Sequence, residues 1–249
     1  MEQIDNKHKR IALLIDGDNA QPSLIAQILA EAGKYGSVTI RRIYGDWTKA
    51  NMSGWKDTLN NYAIQPIQQF RYTVGKNATD SAMIIDAMDI LHSDLVDGFC
   101  IVSSDSDYTR LATRIRETGI FVMGVGKSTT PKAFVNACNV FIYTENLTTE
   151  VKPAEKKPKQ KGVEEKKKSV EKTDPVPLLT KAIEMAMQED GWANLATTGF
   201  YLHQLDPGFD PRTYGFKQLS SLFKSFPDKF ELKFQNDTGI TTVFVKLKD

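Results

Sequence analysis

Two apolar runs in this chain end in carboxylates. Ile11-Ala-Leu-Leu-Ile15 runs into Asp16-Gly-Asp18-Asn19, and Gly98-Phe-Cys-Ile-Val102 runs into Ser103-Ser104-Asp105-Ser-Asp107. Acids at the ends of buried strands put negative charge at the rim of a sheet, which is costly unless a cation offsets it. A third acid, Asp80, opens a long apolar helical pattern after the polar loop 74–79. If the two strands are neighbours, about 4.8 Å apart, Asp16 and Asp105 converge and a single divalent ion can bridge them. These residue types point to a hard metal, Mg2+ or Mn2+, held by Asp16, Asp80 and Asp105, and to chemistry on a phosphate.

Each acid also has a plainer explanation. Asp18 suits a turn and Asn19 a helix N-cap. Asp107 is equally suited to capping a helix from Tyr108 and to supporting the metal ligands. Asp86 lies six residues past Asp80, about 240° around a helix, so the two are not expected to share one coordination shell. Asp16 and Asp105 are the hardest to explain away, because each closely follows an apolar strand.

The elements that must position these residues alternate. Strands are predicted at 11–15, 38–44, 64–70, 98–102, 120–125 and 140–143. Helices are predicted at 22–34, 47–62, 79–92 and 108–118, with Pro22 suited to a first turn and Gly119 to a stop. Strands regularly separated by helices imply an α/β fold whose parallel sheet is covered on both faces. In such sheets ligands bind beyond the carboxyl ends of the strands, where strand order reverses.

Net charge is +1 over 249 residues, which gives the whole chain no basic signature for nucleic acid. The exception is the segment 152–173, with 9 Lys and 4 Glu and almost no large apolar side chains. It reads as a solvated tether with some affinity for phosphate. Residues 174–249 begin a new, mixed domain. Helices are predicted at 177–189, 198–204 and 217–223, then alternating runs at 230–234 and 241–247 joined by Asn236-Asp-Thr-Gly239, a hairpin signal. Helices followed by a two-stranded wing suggest a small winged-helix domain. Cys100 and Cys138 form no CxxC pair and read as buried free thiols of a reducing compartment. His8, His92 and His203 have no zinc-ligand spacing. No apolar run is long enough for a bilayer, and the first ten residues lack a signal-peptide core. The expected location is cytoplasmic, without membrane association.

The run Leu14-Ile-Asp16-Gly-Asp18-Asn19, then Lys76-Asn-Ala-Thr-Asp80, then Val102-Ser-Ser104-Asp105-Ser-Asp107-Tyr108 resembles the NYN domain, the PIN-like nuclease domain of the LabA-like group, over about residues 10–146. Gly199-Phe-Tyr-Leu202, Tyr214-Gly-Phe216 and Leu219-Ser-Ser-Leu-Phe223 resemble an OST-HTH/LOTUS domain. The resemblance implies a nuclease domain over 1–150, the linker over 151–173 and the second domain over 174–249. It implies metal-dependent RNA cleavage leaving a 5′-phosphate and a 3′-hydroxyl. Asp16, Asp80 and Asp105 would be metal ligands, Asn19 would position substrate or a water, and Ser104 and Asp107 would complete the rim. The second domain would bind RNA, through aromatics such as Tyr214, or dock a protein partner.

Lys76 and Arg110 are candidates for stabilising charge on the phosphate. Arg41, Arg42 and Arg71 are candidates for guiding RNA, with ordinary surface charge at least as good a reading. Two alternatives stay open. One is an inactive RNA-binding adaptor. The other is a haloacid-dehalogenase-like phosphatase with Asp16 as nucleophile, although such enzymes usually carry Thr or Val where this chain has Ala20.

Overall fold

The structure is a computed structural model that describes residues 9–70, 78–148, 174–237 and 240–248. The expected linker 151–173 and both Lys76 and Arg71 lie outside the described residues. The chain divides into two compact units, Met1–Thr148 and Thr149–Asp249.

The first unit follows a strand–helix alternation. Its elements are β1 (Arg10–Asp16), α1 (Ile25–Ala32), β2 (Ser37–Gly45), α2 (Lys56–Asn61), β3 (Gln65–Gln68), α3 (Ala78–His92), β4 (Gly98–Val102), α4 (Thr109–Glu117), β5 (Phe121–Gly126), α5 (Lys132–Ala137), β6 (Val140–Tyr143) and α6 (Thr144–Thr148). All strand pairs are parallel, in the order β3-β2-β1-β4-β5-β6. The chain builds outward from β1 to β3, crosses back through α3, and resumes beside β1 with β4. The strand order therefore reverses between β1 and β4, and a crevice opens at their carboxyl ends.

Side-chain parity assigns the two faces of this sheet. Ala12 and Leu14 of β1, Phe99 and Ile101 of β4, and Tyr44 of β2 pack in one core with Met83 and Ala87 of α3, Leu111 and Ile115 of α4, and Phe134 of α5. Leu13, Ile15, Cys100 and Val102 pack on the other face with Ile25 and Ile28 of α1 and Trp55. Continuous apolar strands are thus explained by burial on both sides. Cys100 and Cys138 are both buried, free thiols.

Several boundaries differ from the sequence reading. The expected helix 47–62 is broken, with a 3-10 stretch at Ala50–Trp55 before the short α2. The Asp46 carboxylate draws this segment into a turn by accepting from the Thr48 N–H and hydroxyl and from Gln68. Met52 then lies over Gly17 and Gly45. A Cβ at residue 17 would fall 2.7 Å from the Met52 methyl and 2.8 Å from the Tyr44 carbonyl oxygen, which explains glycine between Asp16 and Asp18. The strand expected at 64–70 shortens to β3, and α6 was not foreseen.

The second unit comprises α7 (Val176–Ala186), β7 (Ala193–Asn194), α8 (Leu195–Leu205), α9 (Leu219–Lys224), β8 (Phe230–Asp237) and β9 (Ile240–Leu247). The expected wing forms from β8 and β9, and β7 extends it into an antiparallel sheet ordered β7-β9-β8. The helix expected to reach residue 189 stops at Ala186, because Met187 turns extended and bridges to Ala193. Asn194 caps α8 by accepting from the N–H groups of Ala196 and Thr197, a common N-terminal solution. Among the described residues no helix is long and apolar enough to cross a membrane.

Candidate active site

The parity that places Leu14 against α3 also turns Asp16 toward it, two residues on. Asp16 is only 1% exposed. Its Oδ1 accepts from the Asp18 N–H at 3.1 Å, and its Oδ2 accepts from Asn19 Nδ2 at 2.6 Å and from Ser103 Oγ at 2.8 Å. Burial pushes its carboxyl above the usual aspartate range. The bonds from Asn19 and Ser103 oppose that rise, and the nearby charge of Asp80 adds to it.

On β4 the same parity carries Ser103 to the α3 face after Phe99 and Ile101. Its hydroxyl donates to Asp16 and accepts the Asp105 N–H at 3.1 Å. Ser103 thus ties the ends of β1 and β4 together. The Asp105 carboxylate accepts the Asp107 N–H at 3.0 Å and caps the 3-10 turn 106–108 that leads into α4. Capping of this turn falls to Asp105 rather than Asp107. The turn brings Tyr108 inward, where its hydroxyl donates to Asp80 Oδ1 at 2.7 Å. Burial and the surrounding carboxylates Asp16, Asp80 and Asp105 drive the Tyr108 phenol well above its ordinary pKa. It therefore remains a proton donor to Asp80.

Asp80, Asp105 and Asp107 each offer a carboxylate oxygen, and these oxygens lie within 4.8 Å of one another. Three oxygen donors at that spacing suit a hard divalent ion. This group exchanges Asp16 of the expected trio for Asp107. Asp16 sits behind it, linked to Asp105 through Ser103 and held by Asn19. The Asn19 amide donates to Asp16 at 2.6 Å. With both Asp16 oxygens accepting hydrogen bonds in a buried site, the geometry also disfavours Asp16 as a nucleophile toward phosphate.

A second polar cluster anchors α3. Arg42 Nη1 donates to Asp86 Oδ1 at 2.5 Å, and the Tyr44 hydroxyl donates to Asp86 Oδ2. Arg42 and Tyr44 alternate on the α3 face of β2, and Asp86 lies one and two-thirds turns beyond Asp80. The ion pair with Asp86 and contact with Tyr44 raise the Arg42 pKa, outweighing the opposing effect of burial.

The remaining expected residues divide. Ser104 accepts the Lys127 N–H at 2.8 Å and joins the ends of β4 and β5. A recess beside it is lined by Asn19, Gln21, Ser104, Lys127 and Thr144. Arg110 is exposed on the first turn of α4. Arg41 does not join the site. Its parity is that of Ile43, on the opposite face, and its guanidinium donates to the Tyr62 carbonyl at 2.8 Å. In the second unit Tyr214 is half-buried, its ring 6.0 Å from that of Phe209. Phe209 is buried, and Tyr201 and Phe216 are partly buried against the core. The exposed aromatics are instead Phe200, at 60%, and Phe234, at 48%.

Ser103, Tyr108 and Lys127 were not singled out from sequence. Tyr108 bonds across 28 residues, and no local pattern announces that pairing.

The first unit is thus a parallel α/β sheet with acids gathered at its switch point, and the second is a small helical unit with a β wing. The chain belongs to the NYN domain family, whose model matches residues 10–147, and the OST-HTH/LOTUS domain model matches residues 166–241. Among solved structures, a Vibrio parahaemolyticus protein of unknown function is similar at 20% identity, with a TM-score of 0.46 over 56% of this chain and 94% of that one. An uncharacterised Nitrosomonas europaea protein is similar at 30% identity, with a TM-score of 0.29 over 41% of this chain and 89% of that one. MurG of Acinetobacter baumannii shows 12% identity and a TM-score of 0.36, over 87% of this chain and 69% of that one. No curated protein matches the chain.

Proposed function

We propose that the chain is a divalent-metal-dependent ribonuclease that hydrolyses RNA phosphodiesters and carries a C-terminal RNA-binding module. The observation that carries this reading is the convergence of Asp80, Asp105 and Asp107 at the crevice between β1 and β4. Family membership in a nuclease domain, joined to a domain associated with RNA, supports it.

Asp80, Asp105 and Asp107 would hold Mg2+ or Mn2+. Such an ion supplies charge for the phosphate and lowers the pKa of a bound water. Tyr108 holds one oxygen of Asp80 and so restricts rotation of its carboxylate. The Asp105 backbone is held by Ser103, and its carboxylate is oriented by the Asp107 N–H of the turn it caps. Asp16 adds a fixed negative charge behind the ligands, aligned by Asn19 and Ser103. Lys127, whose backbone N–H bonds Ser104, and the exposed Arg110 would supply positive charge toward the phosphate. In-line attack of water on phosphorus breaks the P–O3′ bond and yields the 5′-phosphate and 3′-hydroxyl.

The test is incubation of the full chain with labelled single-stranded RNA and Mn2+ or Mg2+, beside Asp105→Asn, Asp80→Asn and Asp16→Asn variants. Cleavage by the parent that is lost in all three folded variants is expected. Full activity of Asp105→Asn would refute the assignment of ligands. Metal binding by the parent without turnover would leave an RNA-binding adaptor.

A further inference from the structure

The RNA-binding reading of the second unit names no surface, and net charge offers none. The sheet β7-β9-β8 does. Its alternation sends Phe230, Leu232, Val245 and Leu247 into the core and turns Lys233, Phe244 and Lys246 outward. Asn194, Phe244 and Lys233 form one row across the three strands. Trp192 sits at the head of β7 on a tight turn, in which the Gly191 N–H donates to the Gln188 carbonyl, the Gln188 N–H to the Trp192 carbonyl, and the Trp192 N–H to Asp190. Lys233 Nζ lies 5.9 Å from the centre of the Trp192 ring. The Lys246 stem passes 3.3 Å from where a Cβ would stand at residue 191, and Gly191 has φ +78°. The positive φ is what favours glycine there.

Lys233 therefore lies over the indole and Lys246 beside the glycine that precedes it, with Phe244 opposite Lys233 and Glu231 opposite Lys246 on the same face. Neither lysine has a salt-bridge partner among the described residues. The alternation of π-face and ammonium matches the alternation of base and phosphate along an unpaired strand. A duplex presents phosphates but no open base faces.

Resting on the RNA-binding reading, we propose that the outer face of β7-β9-β8, through Trp192, Phe244, Lys233 and Lys246, is a docking site for single-stranded RNA. Bases stack on Trp192 and Phe244, and the two lysines meet backbone phosphates. The site is preorganised, because its aromatic and its cations sit on paired strands and a hydrogen-bonded turn.

The experiment uses the full chain in EDTA, to keep RNA intact, and a fluorescently labelled single-stranded oligoadenylate followed by anisotropy across a salt series. A Lys233→Ala/Lys246→Ala double variant is expected to lower the slope of log affinity against log salt by about 1.4, two contacts at roughly 0.7 each. Trp192→Ala is expected to weaken binding by about 5- to 150-fold. Lys233→Arg/Lys246→Arg should retain the parent slope, and a duplex of equal length should compete poorly. Unchanged affinity and slope in the double alanine variant, or equal competition by duplex, would overturn the proposal while leaving RNA binding elsewhere on the chain. A parent chain that retains no oligoadenylate at low salt would instead sink the RNA-binding reading itself.

Discussion

Removing the hydroxyl of Ser103 tests whether Asp16 is buried as a charge held by directed donors. The Ser103 hydroxyl donates to Asp16 Oδ2 at 2.8 Å in a site from which water is excluded. A hydrogen bond to a charged acceptor contributes about 1.5–3 kcal/mol, and one to a neutral acceptor about 0.5–1.5 kcal/mol. Ser103→Ala should therefore destabilise the first unit by about 2 kcal/mol, a shift of roughly 1 M in the urea midpoint. In an Asp16→Asn background the same change meets an uncharged acceptor and should cost about 1 kcal/mol. The cycle then yields a coupling near 1 kcal/mol. The chain has three tryptophans, Trp47, Trp55 and Trp192. A Trp192→Phe background lets fluorescence report the first unit alone. Equal losses in both Asp16 backgrounds would refute the claim that Ser103 stabilises a charged Asp16.

Other consequences are open to measurement. Tyr108→Phe removes the donor to Asp80 without changing ring packing. Mn2+ affinity by calorimetry should fall about tenfold or more, while RNA cleavage recovers toward the parent rate at saturating metal. His203 is held below its ordinary pKa of 6.5 by burial, so below that pH the unfolded state takes up a proton that the folded state resists. Stability of the second unit should therefore fall as pH drops below 6.5 and level off beneath the depressed folded value. Temperature series of the Leu202 and Val245 methyl resonances would show this, and His203→Gln should flatten it. Burial pushes the Cys138 thiol up to about 12 and that of Cys100 higher still. Ellman's reagent should accordingly label neither until the first unit unfolds.

Sequence pattern alone carried the reading as far as the strands and the reversal point. The runs Ile11–Ile15 and Gly98–Val102 are apolar enough to be central, and their acidic ends lie beside one another because β1 and β4 pair. Face assignment was harder. When both faces of a strand are buried, alternation of polarity disappears, and nothing local tells Arg41 from Arg42 or Ser103 from Ser104. The structure separates each pair, since neighbours on a strand point in opposite directions. Arg42 reaches Asp86 while Arg41 turns away. Ser103 reaches Asp16 while Ser104 meets Lys127. The trade of Asp107 for Asp16 has a similar origin, because a capped turn at 106–108 repositions side chains that spacing alone leaves free. In the second unit, Tyr214 offered itself as an RNA contact from sequence, but it packs half-buried against Phe209, while Phe200 is the ring left exposed on α8.

Among the described residues the short strand β3 pairs with β2 alone and forms one margin of the parallel sheet. It carries Pro66, which has no N–H to offer an incoming strand. Four residues interrupted by such a position make a poor template for growth by strand addition. Lengthening this border by replacing Pro66 would therefore be expected to raise the tendency of the first unit to associate through its sheet margin.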